Sequence, residues 1–180
     1  YSSNNKYSLL GSLRAIAQMI SYSIAMSLCI IAIILTLGTI DYLTILEAQM
    51  NTPLVYALLP IGIILIISCI AELGRPPFDL IEAESELVAG HMVEYSGVKF
   101  AFFFLAEYSM MLFMGIFITI LLFGFVNPLP FLFLLIWVRA SLPRIRIDQV
   151  LSMGWSHFIP FLTGYVICLP FIFLTFDLIG

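Results

Sequence analysis

The sequence contains 180 residues, of which 62% are hydrophobic, 14% aromatic and only 10% charged, with a net charge of −4. A mean hydropathy of +1.13 excludes a soluble globular domain and marks an integral membrane protein. The negative balance is not an acidic surface, because most of the carboxylates fall in one segment, and no nucleic-acid partner is expected.

In chain order, five apolar segments predict membrane-spanning helices: Leu9–Leu37, Pro53–Ala71, Phe100–Phe125, Leu129–Val138 and Phe158–Ile179. A helix crosses the ~30 Å hydrocarbon layer with ~20 residues, so four of these are long enough. The fourth follows the breaker Asn127-Pro128-Leu129-Pro130 and has about 10 residues, or ~15 Å at helical rise. It either takes residues from that turn or is a half-span packed inside the bundle. The predicted fold is therefore all-α, a polytopic transmembrane helix bundle with about five spans and a long acidic loop, forming a single domain over residues 1–180. The first residue is Tyr1 rather than Met, so the start of the protein is expected to be missing or processed.

The seven basic residues set the orientation. Lys6 and Arg14 precede or open the first span, Arg75 and Lys99 lie between the second and third, and Arg139, Arg144 and Arg146 lie between the fourth and fifth. The positive-inside rule puts these three regions on the cytoplasmic or matrix side. Without the short fourth span, the three arginines would fall on the opposite face.

Cys29, Cys69 and Cys168 stand alone in apolar helices, which reads as small buried apolar packing. Iron–sulfur ligation needs clustered cysteines, and His91 and His157 make no ligand pair. No metal site and no redox centre are expected in this chain.

Seven of the eleven carboxylates, Glu72, Asp79, Glu82, Glu84, Glu86, Glu94 and Glu107, lie between Ala71 and Tyr108. A carboxylate at the centre of a membrane helix costs roughly 2.5–3.5 kcal/mol even on the lenient insertion scale, so it faces protein or water and has a function. The connection between the second and third spans is about 28 residues, long for a bundle. Its Arg75-Pro76-Pro77-Phe78-Asp79 segment stops the preceding helix, since paired prolines cannot continue it. From Asp79 a short helix is predicted, with Asp79, Glu82 and Glu86 on one face and Glu84 opposite. A solvated acidic loop is the plain alternative. Against it, apolar residues alternate with the charges, and Glu72 and Glu107 sit inside the spans. Glu107 is about 10 Å into the third span at helical rise, where it either pairs with another helix or joins a proton path. Crowded, partly desolvated carboxylates titrate as a coupled set and can share and pass protons.

Two further polar features complete the picture. The segment from Trp137 to Gln149 carries Arg139, Arg144, Arg146 and Asp148. Orientation and contact with lipid headgroups are the plain alternative for Arg144 and Arg146, whereas Arg139 abuts an apolar run and, if buried, calls for a carboxylate partner. On the same membrane side as the acidic loop, this basic loop can frame a polar chamber. The first span has a polar seam of Arg14, Gln18, Ser21 and Tyr22, which either packs helices or lines a wet path.

Lys6–Tyr22 (KYSLLGSLRAIAQMISY), Ala71–Tyr108 and Trp137–Trp155 (WVRASLPRIRIDQVLSMGW) closely resemble, in order, subunit 1 of respiratory NADH:ubiquinone oxidoreductase (complex I) and its bacterial counterpart. The resemblance implies a membrane subunit that joins the membrane arm to the peripheral arm and forms much of a ubiquinone chamber. It also implies that quinone reduction is coupled there to proton translocation. The proton path would use Tyr22, Glu72, Arg75, Asp79, Glu82, Glu84, Glu86, Glu94 and Glu107. Phe100, Phe104, Arg139, Arg144 and Asp148 would border the quinone. No residue of this chain is implied to be catalytic in itself and no cofactor is bound by it; ubiquinone is the substrate, and FMN and iron–sulfur clusters belong to partner subunits.

Implied partners are the other complex I subunits, including the quinone-site subunits of the peripheral arm, together with membrane lipids. The family has about three further spans ahead of the first one here, which a separate N-terminal part of subunit 1 or residues absent from this sequence would supply. Three departures stand out: Ser23 where the family carries Glu, Gly74 where it carries Asn, and a connection between the third and fourth spans shortened to Asn127–Pro130. The few charges and the richness in Phe and Ile point to the mitochondrial inner membrane, with a bacterial plasma membrane as the alternative. Rival readings are a homologous subunit of a membrane hydrogenase, a structural membrane anchor, or a cation/proton transporter. A transporter is disfavoured because no inverted repeat with interrupted helices is present.

Overall fold

A computed structural model describes residues 6–49, 54–79, 97–124 and 127–177. Its helices, in chain order, are α1 (Lys6–Leu37), α2 (Tyr42–Gln49), α3 (Leu54–Ala57), α4 (Leu59–Glu72), α5 (Val98–Ile118), α6 (Leu129–Ser141), α7 (Ile147–Ser152) and α8 (Ile159–Asp177). A π-helical turn at Thr119–Phe123 extends α5, and another at Met153–Phe158 joins α7 to α8 without a break. Three helices are long and apolar enough to cross a membrane: Lys6–Leu37, Val98–Phe123 and Ile147–Ile172. Leu59–Glu72 and Leu129–Ser141 are apolar but shorter.

The helices depart from the sequence reading in four places. Where four full-length spans were expected, three are present among the described residues, because the second is divided at Leu58 into the short α3 and the 14-residue α4. The last span begins at Ile147 rather than Phe158: Asp148, Gln149, Ser152 and His157 lower the local hydropathy, yet all lie in helical backbone. The fourth helix has 13 residues and carries Arg139 in its last turn, so the basic connection is only Leu142–Arg146. Cys168 is exposed, while Cys29 and Cys69 are buried as expected. The helix expected from Asp79 falls on residues 80–96, which lie outside the described residues, as do Glu82, Glu84, Glu86 and Glu94.

The core is built on one face of α1. Gln18, Ser21, Tyr22, Ala25, Cys29, Ala32 and Ile33 are buried and recur at three- and four-residue spacing, which aligns them along the helix. This face packs most extensively against α4 and then against α8. Lipid tails are as apolar as leucine, so helices in a bilayer associate through close packing and small side chains. Ala25, Cys29 and Ala32 supply that: the Cys29 sulfur lies 3.9 Å from the Ile61 carbonyl oxygen, and the Cys69 sulfur 3.8 Å from that of Met26. The opposite face of α1 presents Leu13, Ile16, Ile20, Ile24, Ile31 and Leu35 outward.

At the far end of the bundle, the short helix α2 caps the end of α5. The final carbonyls of a helix lack intrahelical donors, and the Gln49 carboxamide donates to two of them, Ile120 O at 3.1 Å and Leu121 O at 3.0 Å. The backbone then reverses at Gly124, whose φ is +67°. An added Cβ there would stand 2.8 Å from the Gln49 Cβ.

Candidate functional site

The site assembles where α4 ends. Pro76 and Pro77 cannot donate to a helix, so α4 stops at Glu72 and the backbone turns through Leu73–Pro77, with a cis peptide between the prolines. Gly74 has φ +62° and donates to Ala71 O at 3.2 Å. Left-handed backbone is reached easily by Gly and next most easily by Asn, which gives a physical reason why Gly stands where the resembling family has Asn. Phe78 N–H closes the turn on Arg75 O at 2.8 Å.

Two other elements hold this turn. From α1, Gln18 Nε2 donates to Ala71 O at 2.7 Å and to Phe78 O at 3.1 Å, and the Tyr22 ring packs on Phe78 with centroids 5.6 Å apart. From the basic connection, Ile145 N–H donates to Pro77 O at 3.0 Å. Tyr22 also ties α1 to α7, donating its hydroxyl proton to Val150 O at 3.0 Å. Ser21 accepts from Trp155 Nε1 at 2.9 Å. The start of α1, the end of α4 and the Leu142–Arg146 connection therefore meet at one end of the bundle. These lie close in sequence to segments that carry basic residues.

Arg75 projects from the turn and forms an ion pair through Nε with Glu107 Oε1 of α5. Its guanidinium also lies over the Tyr108 ring, 4.9 Å from the centroid, so the cation is held by a carboxylate and an aromatic face together. Arg139, near the end of α6, lines the same cavity as Arg75 and Tyr108. Between α4, α5 and α6 lies a cavity of ≈ 220 Å³ whose lining includes Ile70, Leu73, Met111, Leu135 and Ile136, with Arg75, Tyr108 and Arg139 as its polar groups. Such a cavity takes an amphipathic molecule: apolar walls for an aliphatic tail, hydrogen-bond donors for polar oxygens.

The expected site residues are thus only partly gathered. Arg75 and Glu107 meet directly, and Arg139 lines the same cavity as Arg75. Glu72 is half-buried in the last turn of α4, and its Oε2 has no hydrogen-bond partner among the described residues. Asp79, also half-buried, follows Phe78. Tyr22 gives its proton to a backbone carbonyl rather than to a carboxylate. Phe100 and Phe104 pack edge to face, with centroids 4.8 Å apart, and neither lines the cavity. Arg144 and Asp148 are exposed and are likewise absent from its wall. Arg139, for which a carboxylate partner was expected, is exposed; the largely buried arginine is Arg75. Ser23 lies exposed on α1, whereas Gln18 and Tyr22 are buried. Sequence reasoning missed Tyr108 and the specific partners of Gln18; the aromatic next to Glu107 was the available signal for the first. Among the described residues, no cluster of His, Cys, Asp and Glu is placed to hold a metal ion.

A family model described as NADH dehydrogenase matches residues 1–170. NADH-ubiquinone oxidoreductase chain 1 of Hyaloraphidium curvatum is 43% identical over 178 residues, covering 99% of this chain and 60% of its own length. The protein of the same name from Mycosarcoma maydis is 40% identical over 201 residues, covering 99% and 61%. An NADH-quinone oxidoreductase subunit of Rickettsia prowazekii (strain Madrid E) is 43% identical over 201 residues, covering 99% and 59%. The chain therefore spans about three-fifths of the length of these relatives. An alignment of 201 residues exceeds the 180 of this chain, so the last two relatives carry residues within the matched region that this chain lacks.

Proposed function

We infer the role of this chain from the family to which it belongs, that of NADH dehydrogenase membrane subunit 1 and its bacterial counterparts. It works as a membrane subunit of proton-translocating NADH:quinone oxidoreductase, borders the quinone, and passes the energy of quinone reduction to a carboxylate path. The observation that carries this reading is the Arg75 turn. One short segment ends a membrane helix, pairs with Glu107 and contributes to a cavity with two arginines. Through its Pro77 carbonyl it is also bonded to the basic connection.

In this reading the head of a ubiquinone enters beside Tyr108 and Arg139, whose donors suit its carbonyl oxygens, and its isoprenoid tail lies along Ile70, Leu135 and Ile136. Electrons reach it from FMN and iron–sulfur clusters in partner subunits, since this chain supplies no redox group to the scheme. A change of charge at the reduced quinone acts electrostatically on the Arg75–Glu107 pair, and through the pair on Glu72, Asp79, Glu82, Glu84, Glu86 and Glu94. The working assembly includes peripheral-arm subunits and the remaining part of subunit 1, in the mitochondrial inner membrane.

The test is Arg139→Met in the purified complex. NADH-to-quinone turnover should fall about tenfold, as for loss of a charge-assisted donor, while reduction of an artificial acceptor by the peripheral arm stays at the parental rate. Equal loss of both activities would mean an assembly defect and would remove Arg139 from the quinone site.

A further inference from the structure

We propose that Gln18 is a positioning residue for the quinone-linked reaction, holding the Leu73–Pro77 turn closed so that Arg75 meets Glu107 and Asp79 leaves the turn in a fixed place. The proposal rests on the functional reading of the Arg75 turn given above. Its own evidence is the geometry of one side chain.

Gln18 is 2% exposed, and its single amide nitrogen donates to carbonyls on both sides of the turn, Ala71 O before it and Phe78 O after it. A carboxamide NH₂ carries two hydrogens, so both bonds can form at once. Turning the amide round would set its oxygen against two carbonyl oxygens, so the acceptors dictate the orientation. Phe78 is only 4% exposed, in non-helical backbone, so its carbonyl needs a partner, and Ala71 O, which already accepts from Gly74 N–H, takes the Gln18 amide as a second donor. Gln18 therefore acts as a clasp across the whole turn.

The clasp has two neighbours that give it leverage. One turn further along α1, Tyr22 packs against Phe78. On the other side of the segment, Ile145 holds Pro77 O. Arg75 stands between the clasped carbonyls and reaches outward to Glu107 and Tyr108. Without the clasp, the turn loses its direct tie between Ala71 and Phe78 and keeps only its local bonds and the Ile145 contact, so that Arg75 and Asp79 lose their fixed placement. Gln18 touches none of the acidic side chains in these bonds, so its influence on them passes through the backbone of the turn.

The experiment uses the purified complex carrying Gln18→Met, which preserves length and bulk but has no donor. Assembled complex is quantified by artificial-acceptor reduction, and kcat and KM are measured with a short-chain quinone. Per assembled complex, kcat should fall about tenfold, because ångström-scale misplacement in an active site costs up to about 100-fold, while KM for the quinone changes less than about twofold. Ser21→Ala is the control. It removes the part-buried Trp155–Ser21 bond from the same helix without touching the turn, and should leave kcat at the parental value. Parental kcat in Gln18→Met would overturn the proposal. So would an equal loss in Ser21→Ala, which would show only that α1 had loosened. Arg75→Met separates the two levels. If it lowers quinone turnover while Gln18→Met does not, the clasp is wrong and the functional reading stands; if neither lowers turnover, the reading itself is wrong.

Discussion

Removing the charge from Glu107 measures what its pair with Arg75 contributes, and whether that contribution is only structural. The Glu107 and Arg75 side chains are 19% and 14% exposed, so the pair is largely but not wholly withdrawn from solvent. Breaking a fully buried pair costs about 3–5 kcal/mol, whereas an exposed pair contributes about 0–1 kcal/mol. The Tyr108 ring remains over Arg75 after the change and retains about 0.5–2 kcal/mol of attraction. Glu107→Gln is therefore expected to destabilise the bundle by about 2–3 kcal/mol, or roughly 30- to 150-fold in equilibrium. Arg75→Met, which loses both the carboxylate and the aromatic face, should cost about 1 kcal/mol more. The double variant Arg75→Met/Glu107→Leu replaces the pair with apolar groups and should return to within about 1 kcal/mol of the parent. Assembled complex on native gels and its thermal midpoint report stability; quinone turnover per assembled complex reports function. Stability is expected to recover in the double variant and turnover is not. Recovery of both would show that the pair merely holds helices together, and single variants without cost would refute the burial argument.

Glu72→Gln keeps the shape of a half-buried carboxylate whose Oε2 has no partner among the described residues. The complex should assemble normally while proton translocation per electron in sealed vesicles falls, and an unchanged ratio would take Glu72 out of the path. Gly124→Ala puts a Cβ 2.8 Å from that of Gln49 at a φ of +67°. A loss of about 2–3 kcal/mol is expected from left-handed backbone plus the clash, read as a lowered thermal midpoint of the complex. Ser23→Glu tests the departure on α1. Because Ser23 is exposed on this chain, the carboxylate should assemble at the parental level if another polypeptide offers polar groups there. If that face meets lipid, assembly should fall as about 2.5–3.5 kcal/mol of burial cost demands.

Much of the fold was legible because membrane helices announce themselves by apolar length. α1 and α5 appear nearly where hydropathy puts them, and the distribution of Lys and Arg brings together the ends that the bonds of Gln18 and Ile145 join. Hydropathy failed where polar residues lie in helical backbone. The stretch Ile147–His157 reads as loop because Asp148, Gln149 and Ser152 are hydrophilic, yet a helix satisfies its own backbone whatever its side chains. The helix α2 was missed for the same reason, through Thr44, Glu47 and Gln49. At the site, the acidic cluster, Arg75 and the polar seam of α1 were all visible, but their partners were not. Arg75 meets Glu107 from a different helix, far along the sequence, and Gln18 finds backbone carbonyls, which carry no sequence signature. Non-local pairing of this kind is decided by helix packing and not by spacing.

The most direct test of the proposed role is photolabelling of the assembled complex with an azido-quinone, followed by mapping of the modified peptides. Label on the Tyr108–Met111 or Leu135–Arg139 segments, abolished by excess quinone, is the expected result. Competable label confined to other polypeptides would contradict a quinone-bordering role for this chain.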